Sequence, residues 1–299
     1  MSTLPVPTET DATIQSASTG AVDYLQFTGT TLTGSDMQNY GLSSAFHVVA
    51  SGDFNGDGNP DLVAQNAAGQ VDIVNLNVSA QLISTTLVAT ALPPIVGSGD
   101  FDPTLDTSGD PPTLVSQLSN GSLDMLQLNT TGVFVASDLV PNTAGLPQAV
   151  GVGESLNFFP MFANPATNTD SVATQLANGA VDLIGFNGTF GIHTPAGSLS
   201  YAASDLTGTA GLGPVGDVNP DFTFDNIGHE NVGTTSTAPE GNLFITTAAS
   251  GQLDAAYTDS GYNSTTQGVQ YASELFNFSQ PGWNVVSGGA VTSALFPVS

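Results

Sequence analysis

Five oxygen-bearing side chains crowd into one short stretch, Asp53-Phe54-Asn55-Gly56-Asp57-Gly58-Asn59-Pro60-Asp61. Side-chain oxygens stand at loop positions 1, 3, 5 and 9, from Asp53, Asn55, Asp57 and Asp61, and Asn59 can offer its carbonyl at position 7. The two glycines let the chain wrap around a point. Calcium takes six to eight oxygens at about 2.3–2.6 Å in a flexible cage, which this spacing can supply, whereas magnesium keeps its waters and demands a tighter octahedron. The competing reading is an ion-free Asx turn. Two further stretches carry weaker versions of the pattern. Asp217, Asn219, Asp221 and Asp225 keep the spacing, with Phe222 in place of a turn glycine. Asp100, Asp102, Asp106 and Asp110 hold two extra residues inside the loop. Calcium is the expected ion at all three, and Glu154-Ser155-Leu156-Asn157 has lost the ligands.

The composition sharpens this. The chain has 299 residues with 26 Asp plus Glu and no Lys or Arg, for a formal charge of −26. Charged residues are only 9% of the chain, against about 25% in an ordinary globular protein. The anomaly is therefore missing cations rather than excess acid. Apart from a protonated His, no side chain can pair with these carboxylates. Each must stay in water, accept backbone N–H bonds or bind a metal ion. Nucleic-acid binding is excluded as a partner class, since it rests on cationic contacts. Lysine Schiff-base chemistry and phosphate loops are excluded likewise. The absence of Cys removes disulfides and thiolate sites. No apolar run reaches 18 residues, so no membrane insertion by a helix is expected.

The elements that must carry these loops are written as repeats. Gly-x-Val/Leu-Asp occurs five times, at Gly20–Asp23, Gly69–Asp72, Gly121–Asp124, Gly179–Asp182 and Gly251–Asp254. Gln65, Gln117, Gln175 and Thr247 stand four residues before their glycines, and Gln15 stands five before Gly20. A glycine followed by an acid closes the apolar stretch ahead of four of these units: Gly52-Asp53, Gly99-Asp100, Gly153-Glu154 and Gly216-Asp217. The fifth such stretch, Trp283-Asn284-Val285-Val286, lies near the C-terminal end and runs to Gly289-Ala290, while the first repeat has a second half and no beginning. Together the two fragments complete one unit. Within the second unit, short β-rich runs cover 46–54, 61–65, 71–76 and 81–89, separated by Gly, Asn and Pro turns. Four strands per unit and five units predict an all-β, five-bladed β-propeller of four-stranded blades. The ring is closed by pairing of N- and C-terminal segments, which leaves no open sheet edge at the join. The whole chain, 1–299, reads as a single domain, with 1–10 as a tail and one blade shared by 11–32 and 282–299. Val285–Ala290 is expected to pair beside Ala12–Ser16.

The acidic loop with Phe46-His47-Val48-Val49 before it and Asp61-Leu62-Val63 after it resembles an FG-GAP or VCBS repeat, most clearly over residues 46–76. That family is similar to the calcium-loop blades of integrin α-subunit propellers. The resemblance implies calcium ligation by Asp53, Asn55, Asp57, Asp61 and the Asn59 carbonyl. It also implies a role in adhesion or structural assembly, with a protein or glycan ligand on a cell surface or matrix as partner. Self-association into a surface layer or filament is one alternative, and a carbohydrate-binding or carbohydrate-active propeller is another. Typical members have about seven blades, and the count here is five.

No signature supports catalysis. There is no Gly-x-Ser-x-Gly elbow, and His47, His193 and His229 are scattered, with His229-Glu230 read as a solvated pair. Trp283 could serve as a sugar platform, but its place in the ring-closing strand favours packing. The five repeated Asp could form a ring of functional carboxylates. The plainer expectation is that each accepts N–H bonds from its own hairpin turn. Residues 1–10 lack a cationic and apolar leader pattern. Low pI and high Gly resemble substrates of bacterial type I secretion, so an extracellular or cell-surface location without an N-terminal signal is expected, with a cytoplasmic one as the alternative.

Overall fold

The structure is a computed structural model that describes residues 9–28, 31–99, 101, 112–154, 170–187, 200–205, 215–219, 243–247, 252–259 and 270–286. Among these residues the chain forms five four-stranded antiparallel sheets. The first combines β1 (Glu9–Ser16), β2 (Val22–Thr28) and β3 (Thr31–Gln38) with β20 (Trp283–Val285) from the other end of the chain. The second holds β4 (Phe46–Gly52), β5 (Asp61–Asn66), β6 (Val71–Leu76) and β7 (Leu82–Ala89). The third holds β8 (Ile95–Gly99), β9 (Thr113–Gln117), β10 (Leu123–Leu128) and β11 (Phe134–Leu139). The fourth is β12 (Gln148–Glu154), β13 (Asp170–Gln175), β14 (Val181–Asn187) and β15 (Ser200–Asp205). The fifth is β16 (Val215–Asn219), β17 (Leu243–Thr247), β18 (Gln252–Asp259) and β19 (Gln270–Ser279).

The sheets pack in chain order. Val22 and Tyr24 of the first share a core with Val48, Leu62, Val74 and Leu76 of the second. Strand β4 lies against β8, β8 against β12 and β12 against β16. The fifth sheet returns to the first through β16 and β17 on β20 and β19 on β3. The result is a propeller-like arrangement in which apolar side chains fill the spaces between sheets. The third strands are sandwiched, so β6 and β10 are apolar on both faces and buried along nearly their whole length. The outermost strands β3 and β11 alternate between exposed and half-buried positions, as the period of 2 requires.

The chain-end pairing expected from the split repeat is present. Ile14 pairs with Val285, Gln15 with Asn284 and Ser16 with Trp283. The pairing thus starts two residues earlier than expected, and 287–290 lie outside the described residues. The first sheet also begins at Glu9 and reaches Gln38, beyond the 11–32 span read from sequence. Gly34 and Asp36 inside β3 weaken its strand signal.

The repeated motif now has a physical explanation, position by position. The glycine is required by close approach. At Gly20, Gly69 and Gly121 an added Cβ would meet the connection to the next sheet, at 2.5 Å from Leu42 O, 2.5 Å from Leu92 O and 2.8 Å from Leu146 N respectively. All three also hold a positive φ of 78–85°. The glutamine is a clamp. Gln15 Nε2 donates to Phe46 O at 3.0 Å while its Oε1 accepts from Val48 N at 3.1 Å. Gln65 repeats this on Pro93 O at 2.8 Å and Ile95 N at 2.8 Å. Gln117 repeats it on Pro147 O at 2.7 Å and Ala149 N at 2.9 Å. Each side chain therefore joins the second strand of one sheet to the backbone entering the next. Gln175 shares the inward half of the pattern, donating to Gly179 O at 3.2 Å as Gln117 does to Gly121 O at 3.3 Å.

At Asp23, Asp72 and Asp124 the repeated Asp departs from the hairpin-turn expectation. Asp23 accepts the Ser35 hydroxyl at 2.9 Å from the outermost strand, and Asp124 is held likewise by Ser137. Asp72 instead accepts Gln70 Nε2, at 3.2 Å to each oxygen. The hairpin amides are already taken: Gly20 N by Ser16 O, Gly69 N by Asn66 O and Gly121 N by Leu118 O. Burial pushes the Asp23 and Asp124 carboxyls up, their hydroxyl partners pull them back, and the neighbouring Asp36 and Asp138 charges push them further up.

Two outcomes follow from this packing. Gln65→Leu should cost about 3 kcal/mol in urea unfolding, because it strands buried backbone groups at Pro93 and Ile95. Thr85→Ala on the exposed strand β7 should stay within about 0.5 kcal/mol, and equal losses for the two would contradict the clamp. In pH, Asp23 and Asp124 hold protons more tightly folded than unfolded. Their protonation stabilises the fold at low pH, and that stability is lost as pH rises from about 4 through the raised folded values. The Asp23→Asn/Asp124→Asn pair should flatten the fall in stability above pH 4 in chelator, with Asp72→Asn as the control for lost charge. An unchanged slope in the pair would refute this.

Candidate metal centre

The acidic loop leaves strand β4 at Gly52 and returns into β5 at Asp61, whose backbones pair across the loop's base. Phe54, at the second loop position, is fully buried. It is packed among Val63, Ile73, Leu114 and Leu126 between the second and third sheets. This plug anchors the loop start. Phe101 does the same one sheet later, among Val115, Met125 and Val152. Gly56 and Gly58 then turn the chain with φ of 74° and 81°.

The turn draws backbone amides onto the carboxylates. Asp53 Oδ1 accepts from Gly56 N at 2.7 Å and Asp57 N at 3.2 Å, and its Oδ2 accepts from Gly58 N at 2.8 Å. Asn55 Oδ1 accepts from Asp57 N at 2.9 Å. Its Nδ2 donates to Asn75 Oδ1 at 3.3 Å, tying the loop to β6. Asp57 Oδ1 accepts both Asn59 N at 2.8 Å and Asn59 Nδ2 at 2.9 Å. Asp61 differs from the others. It is fully buried, with Oδ1 accepting Leu76 N at 2.8 Å and Oδ2 accepting Phe54 N at 3.3 Å. Burial pushes its carboxyl up to about 6, against the pull of those two amides, and the nearby Asp57 and Asp53 charges add to the rise.

The structure thus gathers Asp53, Asn55 and Asp57 at a half-exposed loop mouth and sets Asp61 beneath them as a brace. Among the described residues, no three acidic or histidine side chains stand close enough together, as placed, to hold a metal ion. The donor chemistry nevertheless suits a hard cation. All the side-chain acceptors are oxygens, and each carboxylate oxygen holding one or two amides retains acceptor capacity. No Lys or Arg exists to neutralise the cluster.

The weaker loops fare differently. Asp217 and Asn219 lie inside strand β16, paired with Ile245 and Leu243, rather than in a loop. Asn219 holds the register of Gly52, because Val215 pairs with Thr246 as Val48 pairs with Ala64, and a bulge follows in both. Gly216 therefore sits at the bulge, and Gly216-Asp217 stands three positions ahead of Gly52-Asp53. Asp221 and Asp225 lie outside the described residues, as do Asp100, Asp102, Asp106 and Asp110, and His193, His229 and Glu230. Glu154 holds the register of Asp53, at the end of β12. Trp283 is half-buried against the first sheet's core of Ala12, Ile14, Leu25 and Phe27, which supports packing over a sugar platform. The clamp residues Gln15, Gln65 and Gln117 were visible in the sequence as a recurrent spacing, but spacing does not say what an amide touches. Among the described residues no helix is long and apolar enough to cross a membrane.

A search of curated proteins finds no match for the chain. Family comparison matches an FG-GAP repeat model at residues 45–74. That span runs from the start of β4 through the acidic loop and β5 to the middle of β6. Residues 45–74 are an FG-GAP repeat, set in a propeller-like arrangement of antiparallel sheets.

Proposed function

We propose that this chain is a calcium-binding five-bladed propeller that acts by binding rather than catalysis, outside the cell, in adhesion or structural assembly. The observation that carries the reading is the acidic loop inside the FG-GAP repeat, a repeat type that often binds calcium and is often adhesion-related. Asp53, Asn55 and Asp57 would hold the ion through oxygens that now accept backbone amides, with Asp61 and the Asn59 carbonyl completing the set. The ion would supply the positive charge that the chain lacks and fix the loop beside Phe54. The ligand would be a protein or glycan on a cell surface or matrix, and the exposed loop mouth is where a calcium-dependent contact would form.

Self-assembly is the second reading, favoured by apolar side chains exposed at the sheet rims. Ile83 and Leu87 on β7 are 58% and 53% exposed, and Val135 and Leu139 on β11 are 50% and 52% exposed. Long apolar edge strands without Lys are open to pairing. Calcium would then also screen the repulsion between copies.

Calcium should raise the melting temperature at neutral pH, and Asp57→Ala should remove most of the gain. A ligand that binds only the folded state stabilises by about 2.7 kcal/mol at one hundred times its Kd. Identical melting curves in chelator and in millimolar calcium would refute the calcium reading. Calcium-dependent capture on arrayed matrix proteins and glycans would support adhesion. Calcium-dependent growth of polymers in light scattering would favour self-assembly, and turnover of a polysaccharide would overturn the non-catalytic reading.

A further inference from the structure

Asn75 lies on β6, three residues after Asp72, and is only 8% exposed. Its side chain meets three others. Oδ1 accepts from Asn55 Nδ2 at 3.3 Å, and Nδ2 donates to Ser84 Oγ and Thr86 Oγ1, both at 3.0 Å. Ser84 stands directly opposite Asn75 on β7, and Thr86 lies diagonally across, opposite Ile73. One amide therefore joins the acidic loop to the outermost strand of the second sheet.

The other sheets build nothing comparable at this register. The residue three after the repeated Asp is Gln26 in the first sheet, opposite Gly34, and Gln127 in the third, opposite Ala136. Neither partner carries a hydroxyl, and where the second sheet has Thr86 these two have Asp36 and Asp138. Gln127 is buried with its Oε1 unpaired. In the fourth and fifth sheets the position falls to Gly185 and Tyr257, which have no amide side chain. Among the described residues, an amide set between two outer-strand hydroxyls thus belongs to the sheet that carries the FG-GAP loop.

Asn55 is the loop-mouth residue whose orientation decides ligation. Its amide has an oxygen that can face a cation and an NH2 group that cannot. Asp53 and Asp57 have two equivalent oxygens and no such choice, and their hydrogen bonds stay inside the loop. Asn55 is held from both ends: Asp57 N donates to its Oδ1 at 2.9 Å, and Asn75 takes its Nδ2. Asn75 offers its oxygen there because the two β7 hydroxyls occupy its nitrogen. We infer that Asn75 is a positioning residue for calcium, set by Ser84 and Thr86, which keeps the Asn55 oxygen turned to the loop mouth and so ties calcium affinity to β7. The inference rests on the calcium reading of the loop. Outer residues that orient a metal ligand are worth about 10- to 100-fold in affinity.

Calorimetric titration of the full chain with calcium, well below its melting temperature, tests this. Asn75→Leu keeps the side-chain shape and removes the amide, and it should weaken calcium binding about tenfold. Ser84→Ala/Thr86→Val touches no loop residue and should weaken binding severalfold. Added to Asn75→Leu, that pair should cost nothing further, because the three side chains act as one unit. Thr85→Ala on the same strand should leave Kd unchanged. A merely structural loss would lower the melting temperature without moving the Kd of the folded protein. In chelator, the Asn55 side-chain amide protons should exchange with water faster in Asn75→Leu than in the native chain, as read by NMR. A folded Asn75→Leu protein with native Kd would overturn the inference and leave the calcium reading standing. Full additivity in the triple variant, or unaltered Asn55 exchange in chelator, would overturn it as well. A native chain that binds no calcium would overturn the calcium reading itself, and the inference with it. Should Asn75→Leu fail to fold, the Ser84/Thr86 pair decides: an unchanged Kd there would overturn the inference.

Discussion

A chain with no Lys and no Arg cannot build salt bridges between side chains in the ordinary way, and the rest of this fold is organised around that constraint. Buried carboxylates are costly unless their charge is met. Here backbone amides and hydroxyls meet it. Asp61 takes Leu76 N and Phe54 N, Asp53 takes three amides of its own loop, and Asp23 takes the Ser35 hydroxyl. None of these donors carries a full positive charge. Desolvation therefore still shows in the raised carboxyls of Asp61, Asp23 and Asp124.

The same economy governs how the sheets join. A neutral amide on Gln15, Gln65 and Gln117 bridges neighbouring sheets by meeting both a carbonyl and an N–H of buried backbone. Such a bridge carries no desolvated charge and is independent of salt. The glycine that follows lets the hairpin tip approach the connecting segment closely, and Phe54 and Phe101 fill the apolar space beneath. Repetition of one solution at successive junctions explains why the sequence repeats there and varies in its outer strands.

Much of this was legible in the sequence, for physical reasons. The strands of the second sheet were readable because turn residues bracket short apolar runs, and the observed bounds fall within a residue or two of those expected. The split first sheet was legible because half a repeat at each end has one closed solution. Other features required coordinates. A Gly-acid pair looks the same whether the glycine ends a strand, as Gly52 does, or occupies a bulge, as Gly216 does. The bulge is a backbone irregularity with no residue code, so Asp217 stands three positions ahead of the place that its spacing predicts. The partner of the repeated Asp was equally hidden, since Ser35 is 12 residues and a turn away. In the loop, spacing identified the oxygens but could not show that Asp61 turns inward to brace Phe54 and Leu76.

Opposing demands meet in one loop. Asp53 and Asp57 face a half-exposed mouth, Asp61 lies buried below them, and amides alone offset their charges. Calcium is the counter-charge that we propose for this arrangement. The most direct measurement is a crystal structure of the protein grown in millimolar calcium, with anomalous diffraction used to identify the ion. The account predicts a calcium peak about 2.3–2.6 Å from oxygens of Asp53, Asn55 and Asp57. A well-ordered loop with every one of its amide contacts unchanged and no peak at saturating calcium would contradict it.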